Sequence, residues 1–261
     1  MTEAPFCPAP LGLLRGKRAL LTASAGAGIG YSASERFLAE GCEAVVISDI
    51  HERRLKEAVE RLSSFAPQAR VHGLLCDVSQ QDQVDHLVRE SHGLLGRIDV
   101  LVNNAGLGGE KRVVEMTDDE WNRVLDISLT GTFRMTRAVL PIMQEQRSGA
   151  IVNNASVLGW RAQKAQAHYA AAKAGVMAFT RCVALEAAEF GIRVNAVSPS
   201  IALHPFLKKS ADPALLERLS AQEAFGRAAE PWEIANIMVF LASDYASYMV
   251  GESLSVSSQR A

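Results

Sequence analysis

Ala19-Leu20-Leu21-Thr22-Ala23-Ser24-Ala25-Gly26-Ala27-Gly28-Ile29-Gly30 is the stretch that decides the fold of this chain. It consists of a short apolar run, a glycine-rich loop and the first turn of a helical pattern, an order that is typical of a parallel α/β unit. The helical pattern continues to Glu40 and ends at Gly41, a residue type that adopts the left-handed conformation found after helix ends. The rest of the chain should therefore supply further pairs of strand and helix.

Short apolar runs alternate with longer helical patterns along the remaining sequence. Runs such as Val45-Val46-Ile47 and Val100-Leu101-Val102 are apolar at successive positions, as strands buried on both faces of a parallel sheet are. Long helices are predicted over Asp118–Gln146, with Asp118 as the capping residue, and over Gln166–Glu189. The strands are predicted at Ala19–Thr22, Ala44–Ser48, Val71–Leu75, Val100–Asn103, Ala150–Asn153, Arg193–Val197 and Ser253–Ser257. This pattern predicts a doubly wound, seven-stranded parallel sheet with helices on both faces, which is a Rossmann fold.

Length and composition narrow the class of protein. A chain of 261 residues with 48% hydrophobic and 21% charged residues fits one α/β domain, placed at 13–261 after a flexible segment at 1–12. The net charge of −2 gives no general attraction to nucleic acid. Neither a signal sequence nor a membrane-spanning run is apparent, so a cytoplasmic protein without a membrane partner is expected. The four cysteines lack metal-ligand spacing, and no metal is expected.

The glycine-rich loop has the composition of a phosphate-binding turn. Its glycines let the backbone approach a pyrophosphate, and the following helix offers free N–H groups at its start. The common GxGxxG spacing is absent because Tyr31 stands at the third glycine position, so a turn needed only for tight packing remains an alternative. The residues predicted to bind the dinucleotide here are Thr22, Ser24, Gly26, Gly28, Ile29 and Gly30.

Polar residues follow the next three predicted strands. Asp49 comes 21 residues after Gly28, where a carboxylate can accept hydrogen bonds from the adenosine ribose of NAD and would repel the 2′-phosphate of NADP. The alternative is that Asp49 caps the next helix. Asp77 is equally consistent with an adenine contact and with a helix cap. Asn104, Ala105 and Gly106 either contact the cofactor or brace neighbouring strand ends.

Three further residues carry the chemistry of an alcohol dehydrogenation. Tyr169 and Lys173 share a helix face because they are four residues apart, and Ser156 follows a strand thirteen residues before Tyr169. A phenol with a pKa of about 10 can exchange a proton with an alcohol near neutral pH if a nearby ammonium lowers its pKa. Lys173 can supply that charge, while Ser156 can hold the substrate oxygen.

These motifs together resemble the short-chain dehydrogenase/reductase superfamily, over the whole length from about Leu14 onward. The matching stretches are the glycine loop, Asp77, Asn103-Asn104-Ala105-Gly106, Ser156, Tyr169-Ala-Ala-Ala-Lys173 and Arg193-Val-Asn-Ala-Val-Ser-Pro199. The resemblance implies an NAD(P)-dependent oxidoreductase that assembles as a homotetramer or homodimer. It also implies additional cofactor contacts at Ile50, Val78, Pro199, Ser200 and Ile201.

Several positions depart from the pattern of the family. The loop has Ala23 and Ser24 at its start, and the tail ends Val256-Ser-Ser-Gln259. Ser128 stands where an Asn commonly supports a water-linked proton relay, and its hydroxyl can still hold a water. His204 stands where a threonine commonly touches the nicotinamide amide, so it is expected to reach that amide, the substrate or solvent.

The substrate pocket is expected along the loop after Ser156 and the segment 201–225. Its predicted lining residues are Leu158, Trp160, His204 and Phe206, with Arg161, Lys164, Lys208 and Lys209 as a basic border or a solvated surface. The stretch Ala155-Ser-Val-Leu-Gly-Trp-Arg161 and the tail of the sequence resemble a subgroup of actinobacterial reductases of steroid-ring breakdown. We expect an NAD-dependent alcohol/ketone oxidoreductase for a bulky steroid-derived, bicyclic or acyl-CoA-type substrate. The alternatives are an NADPH-dependent 3-oxoacyl thioester reductase and a non-catalytic dinucleotide sensor.

Overall fold

The computed structural model describes residues 3–204, 207 and 213–258. Seven parallel strands form one sheet in the order β3-β2-β1-β4-β5-β6-β7, which confirms the predicted fold class. The strands are β1 (Arg18–Leu21), β2 (Ala44–Asp49), β3 (Arg70–Leu75), β4 (Val100–Asn103), β5 (Gly149–Asn154), β6 (Ile192–Pro199) and β7 (Ser253–Val256). Each strand lies within a few residues of its predicted position.

Helices cover both faces of the sheet. They are α1 (Ile29–Ala39), α2 (Glu52–Phe65), α3 (Gln81–Leu95), α4 (Asp118–Leu125), α5 (Gly131–Gln146), α6 (Ala167–Ala188), α7 (Pro213–Gln222) and α8 (Pro231–Ala242). Apolar side chains of α1, α2 and α8 pack on one face, and those of α3, α5 and α6 pack on the other. Leu21 belongs to the first core and Leu20 to the second, because successive strand residues point to opposite faces.

The single long helix predicted over Asp118–Gln146 is wrong. The chain forms α4 and α5 with a wider π-type turn, Asp126–Thr130, between them. Asp118 is also not the capping residue. Thr117 Oγ1 accepts a hydrogen bond from the Glu120 N–H at 3.2 Å, and the Glu120 carboxylate accepts one from the Thr117 N–H at 2.9 Å. This reciprocal pair satisfies two N–H groups at once, which a cap at Asp118 would not do.

The N-terminal segment is tied to α1 near its end. The buried carboxylate of Glu40 accepts hydrogen bonds from the Leu11 N–H at 2.9 Å and the Leu13 N–H at 3.0 Å. Residues 5–11 are otherwise exposed, so the packed part of the chain begins at about Leu11. In the ranges that the structure describes, no helix is both long enough and apolar enough to cross a bilayer.

The strand order reverses between β1 and β4, which are neighbours in the sheet although β2 and β3 follow β1 in the chain. Loops leaving the two strands therefore diverge to opposite faces and open a crevice at their carboxyl ends. The glycine loop leaves β1 at this point, and Asn103-Asn104-Ala105-Gly106 closes β4 beside it.

Candidate active site

A cleft of about 1990 Å³ opens at the carboxyl edge of the sheet. Sites for drug-sized ligands have volumes of roughly 300–1,000 Å³, so this cleft has room for a dinucleotide and a second ligand. The predicted site residues that line it are Gly26, Gly28, Ile29, Gly30, Asp49, Ile50, Asp77, Val78, Asn104, Ala105, Gly106, Ser156, Leu158, Tyr169, Lys173, Ser200, Ile201 and His204. The topology thus brings the cofactor motifs and the proton-transfer residues to one surface.

The glycine loop fits a phosphate group. Gly26 has a φ of +113°, which favours glycine. Gly28 is the N-cap residue of α1 and has no side chain to cap the helix, so the first N–H groups of α1 have no side-chain cap. Gly30 is required for a different reason. A Cβ at this position would collide with the Ala23 carbonyl oxygen and the Asn104 amide nitrogen. The loop therefore uses Gly30 for close packing against neighbouring strand ends and leaves space for a phosphate group at Gly28.

Thr22, Ser24 and Pro199 are buried beneath the cleft surface rather than lining it. The Thr22 hydroxyl accepts hydrogen bonds from the N–H groups of Asn104 at 3.0 Å and Ala105 at 3.1 Å. This bonding joins the end of β1 to the end of β4. In the structure Thr22 thus shapes the site, and direct cofactor contacts of these three residues stay a prediction.

Asn104 braces neighbouring strand ends, which is one of the two roles that the sequence leaves open, and its cofactor contact stays a prediction. Its amide group donates to the Ala23 carbonyl at 3.0 Å and accepts from the Asn154 amide at 2.9 Å, which braces three loops. The residue also reaches the cleft surface beside Gly106. A Cβ at Gly106 would lie 3.3 Å from Lys173 Nζ, so glycine lets the backbone pass close to that ammonium.

Asp49 ends β2 at the cleft and is 8% exposed. Its two carboxylate oxygens accept hydrogen bonds from the N–H groups of Ala25 at 3.2 Å and His51 at 3.1 Å. The N-cap of α2 is His51, without a side-chain cap, so the capping alternative is not what the structure has. Burial raises the pKa of Asp49, and the hydrogen bond from Ala25 and the charge of Arg54 lower it in part.

Asp77 and Val78 lie on the cleft wall beyond β3. The Asp77 carboxylate accepts a hydrogen bond from the Ser79 N–H at 2.9 Å. Helix α3 begins later, with Gln80 as its N-cap residue, so Asp77 shapes the turn rather than capping the helix by its side chain. The adenine contact of Asp77 stays a prediction.

Ser156, Tyr169 and Lys173 meet where β5 and α6 border the cleft. The Tyr169 hydroxyl is hydrogen-bonded to Ser156, whose own Oγ accepts from the Leu158 N–H at 3.2 Å. Lys173 Nζ donates to the Asn154 carbonyl at 2.6 Å and lies 5.6 Å from the centroid of the Tyr169 ring. A hydroxyl, a phenol and an ammonium are thus arranged in sequence along one wall.

The electrostatics of this trio differ from the expectation in one respect. Burial raises the pKa of Tyr169, and the hydrogen bond with Ser156 lowers it only in part. Burial also lowers the pKa of Lys173 to about 8. The sequence predicts that the charge of Lys173 lowers the pKa of Tyr169. In the structure the burial of the phenol is the larger effect, and it raises this pKa.

The Ser128 hydroxyl is engaged by the loop that follows β4. It accepts a hydrogen bond from the Leu107 N–H at 2.9 Å and donates one to the Leu107 carbonyl at 3.1 Å. The side chain is fully buried. Because its single proton is directed to Leu107, Ser128 holds the loop, and the water-holding role stays a prediction.

The predicted substrate residues separate into different places. Leu158 lines the cleft, whereas Trp160 is 53% exposed and lines a neighbouring groove of about 570 Å³ with Val113 and several alanines of α6. His204 lies against the glycine loop. Phe206, Lys208 and Lys209 fall outside the described residues.

One feature of the cleft is not predicted from the sequence. Gly108 passes over Tyr169, since a Cβ there would lie 3.9 Å from the phenol ring. Helix α7 adds Leu216, Leu219 and Gln222 to the wall, within the segment 201–225 along which the pocket is expected. Among the described residues no group of acidic, histidine or cysteine side chains is arranged to hold a metal ion.

Known proteins are similar to this chain in sequence and in fold. A family profile described as Enoyl-(Acyl carrier protein) reductase matches residues 23–258. The chain is 60% identical over 260 residues to the (5R,7aS)-5-hydroxy-7a-methyl-1-oxo-2,3,5,6,7,7a-hexahydro-1H-indene-carboxyl-CoA reductase of Mycobacterium tuberculosis, covering 99% of this chain and 98% of that protein. It is 37% identical over 243 residues to a 3-oxoacyl-(acyl-carrier-protein) reductase of Thermotoga maritima, covering 93% and 97% of the two chains.

A solved structure supports the same relationship. A short chain dehydrogenase from Mycobacterium smegmatis superposes with a TM-score of 0.88 at 55% identity, with 99% of each chain covered. The residues that the family profile matches include most of the glycine loop, Ser156, Tyr169, Lys173 and the last strand. The chain belongs to the short-chain dehydrogenase/reductase family, whose members are oxidoreductases that bind a nicotinamide dinucleotide and act on CH–OH groups.

Proposed function

We propose that the protein is an NAD-dependent oxidoreductase that interconverts a secondary alcohol and a ketone on a bulky, CoA-linked alicyclic compound from steroid-ring breakdown. The observation that carries the proposal is the placement of Ser156, Tyr169 and Lys173 on the wall of the same cleft as the glycine loop. The name of the relative from Mycobacterium tuberculosis, a reductase of a hydroxylated indene-carboxyl-CoA, supports the substrate class.

The residues of the chain would handle the oxygen and its proton. When bound, the dinucleotide supplies or accepts the hydride. Ser156 Oγ donates a hydrogen bond to the substrate oxygen, and the Tyr169 phenol gives that oxygen its proton during reduction and takes it back during oxidation. The Lys173 ammonium stabilises the negative charge that develops on the phenol oxygen. The Leu107–Gly108 backbone, held by Ser128, limits access of water to Tyr169.

Asp49 supports NAD over NADP. Its carboxylate is held at the end of β2 by two backbone N–H groups and faces the cleft. A 2′-phosphate at this position would meet a negative charge in a partly desolvated place. Arg54 lines the cleft nearby and favours the alternative, an NADPH-dependent 3-oxoacyl thioester reductase. The name of the relative from Thermotoga maritima, a 3-oxoacyl-(acyl-carrier-protein) reductase, supports the substrate class of this alternative.

The lining of the cleft contains both apolar and basic residues. Leu158 and the leucines of α7 supply apolar surface for an alicyclic ring system. Besides Arg54, four cations among the described residues line the cleft outside the proton-transfer wall: Arg123, Arg161, Lys164 and Arg218. Cationic side chains of this kind suit the phosphates of coenzyme A, whereas a free hydrophobic alcohol would not need them.

The decisive experiment is a turnover panel read by the absorbance of reduced nicotinamide. It compares alicyclic CoA thioesters with their free acids and with 3-oxoacyl-CoA, each with NAD(H) and NADP(H). We expect turnover of the alicyclic CoA esters with NAD(H), and loss of at least about 10³-fold in kcat for Tyr169→Phe with NADH affinity nearly unchanged. Full activity of Tyr169→Phe would contradict the mechanism. NADH binding without turnover across the whole panel would indicate a sensor.

Assembly and compartment complete the proposal. We propose a cytoplasmic homotetramer or homodimer, in which apolar residues such as Phe133 of α5 and Leu185 of α6 are covered by a second copy. They are 38% and 72% exposed in the single chain. Sedimentation velocity of the purified protein tests this, and a monomer at micromolar concentration would contradict it.

A further inference from the structure

The segment after β6 brings an imidazole ring onto the glycine loop. A Cβ added at Gly28 would lie 3.9 Å from each of three atoms of the His204 ring, Cγ, Cδ2 and Cε1. Equal distances to three ring atoms mean that the face of the ring covers Gly28. Both residues line the cleft, so the ring borders the space above the N-terminus of α1. From sequence, His204 was expected at the nicotinamide amide, the substrate or solvent.

Backbone hydrogen bonds set the position of this ring and the site of its proton. The Leu207 N–H donates to His204 Nδ1 at 3.3 Å. A nitrogen that accepts carries no proton, so the neutral ring bears its proton on Nε2, which is then a donor. The residue before it is also fixed, because the Leu203 N–H donates to the Ala229 carbonyl at 3.0 Å. Burial lowers the pKa of His204, which favours this neutral donor form.

We propose that His204 binds the pyrophosphate of the dinucleotide, with Nε2–H donating to a phosphate oxygen beside the first turn of α1. This rests on the dinucleotide site described above and assigns a residue to it. Gly28 starts α1 without a side-chain cap, so backbone N–H groups on one side and the imidazole on the other border the same part of the cleft. An anion placed there receives hydrogen bonds from two directions, which neither group provides alone.

Three ligands separate this role from a contact with nicotinamide. NADH has both the pyrophosphate and the nicotinamide, ADP-ribose has the pyrophosphate without the nicotinamide, and adenosine has neither. Affinities are measured by titration calorimetry for the wild type, His204→Ala and His204→Gln, whose side-chain amide keeps a donor. His86→Ala is the matched control, because His86 is an exposed histidine on α3 that does not line the cleft.

We expect His204→Ala to weaken NADH and ADP-ribose by the same factor, about tenfold, because one hydrogen bond to a charged group is lost. Adenosine should bind unchanged, His204→Gln should recover most of the affinity, and His86→Ala should behave as wild type. Weaker NADH with unchanged ADP-ribose would overturn the proposal in favour of a nicotinamide contact. Unchanged affinity for both would overturn it outright. A wild type that binds none of the three ligands would contradict the dinucleotide site itself.

Discussion

The ammonium group of Lys173 is buried with few groups around it that stabilise its positive charge. The side chain is 3% exposed, one carbonyl accepts from its ammonium, and the face of the Tyr169 ring lies beside it. Burial therefore lowers its pKa to about 8. A desolvated cation next to a desolvated phenol destabilises the fold, and such pairs are a mark of functional sites.

This arrangement predicts a pH-dependent stability. The pKa of Lys173 is about 8 in the folded protein and 10.5 ordinarily, so the unfolded chain binds more protons between these values and the free energy of unfolding rises there. Below pH 8 the buried charge lowers stability by about 3 kcal/mol. Lys173→Met should therefore be more stable than wild type by about this amount at pH 7, with the difference vanishing near the ordinary pKa.

Urea unfolding of the two proteins at neutral and at alkaline pH measures this difference. Cys42 and Cys76, whose pKa values burial also raises, titrate equally in both proteins and cancel in the comparison. A difference that stays constant with pH would show that the Lys173 pKa is not depressed in the fold.

The identity of these residues was predictable, and their electrostatics were not. Tyr169, Lys173 and Ser156 follow from helix spacing and from the end of a strand, both of which are visible in sequence. The pKa of Tyr169 depends on the burial of its phenol in the fold, which is a property of tertiary packing. His204 illustrates the same limit, because its contact with Gly28 joins segments that are distant in sequence.

At the scale of elements, strands were easier to predict than the break between α4 and α5. Strands β2 and β4 are fully buried, so their unbroken apolar runs were unambiguous. The wide turn Asp126–Thr130 has no such signature, because one extra residue in a helical turn needs neither glycine nor proline. Its consequence is functional, since Ser128 within it holds Leu107 beside the site.

The start of α4 gives a prediction with its own control. Thr117 forms the reciprocal cap with Glu120, whereas Asp118 is the first helical residue. Thr117→Ala should therefore lower the free energy of unfolding by about 1 kcal/mol, and Asp118→Ala by less than about 0.5 kcal/mol through the helix dipole alone. Chemical denaturation of both variants measures this. If both variants lost the same free energy of unfolding, the reciprocal cap of Thr117 would not be the main stabilising contact at the start of α4.

At the scale of the molecule, one buried carboxylate links the N-terminal segment to the end of α1. Glu40, at the end of α1, accepts from the N–H groups of Leu11 and Leu13, and it pairs with Arg36 at 2.8 Å. It is 1% exposed, so loss of this acceptor would remove the partner of the Leu11 and Leu13 N–H groups and the ion-pair partner of Arg36. Before Leu11 the chain has few comparable anchors, with Arg36 donating to the Pro8 carbonyl at the surface.

Removal of residues 1–10 should therefore leave turnover intact and change the free energy of unfolding by less than about 0.5 kcal/mol. Glu40→Ala should lower it by about 3 kcal/mol, because it unpairs a buried cation and two backbone N–H groups. Glu57→Ala is the control, since its carboxylate is 56% exposed and pairs with an exposed Arg53. Urea denaturation of the three proteins gives the comparison. A truncation as damaging as Glu40→Ala would mean that the domain begins before Leu11, and that the first ten residues are structural rather than a flexible extension.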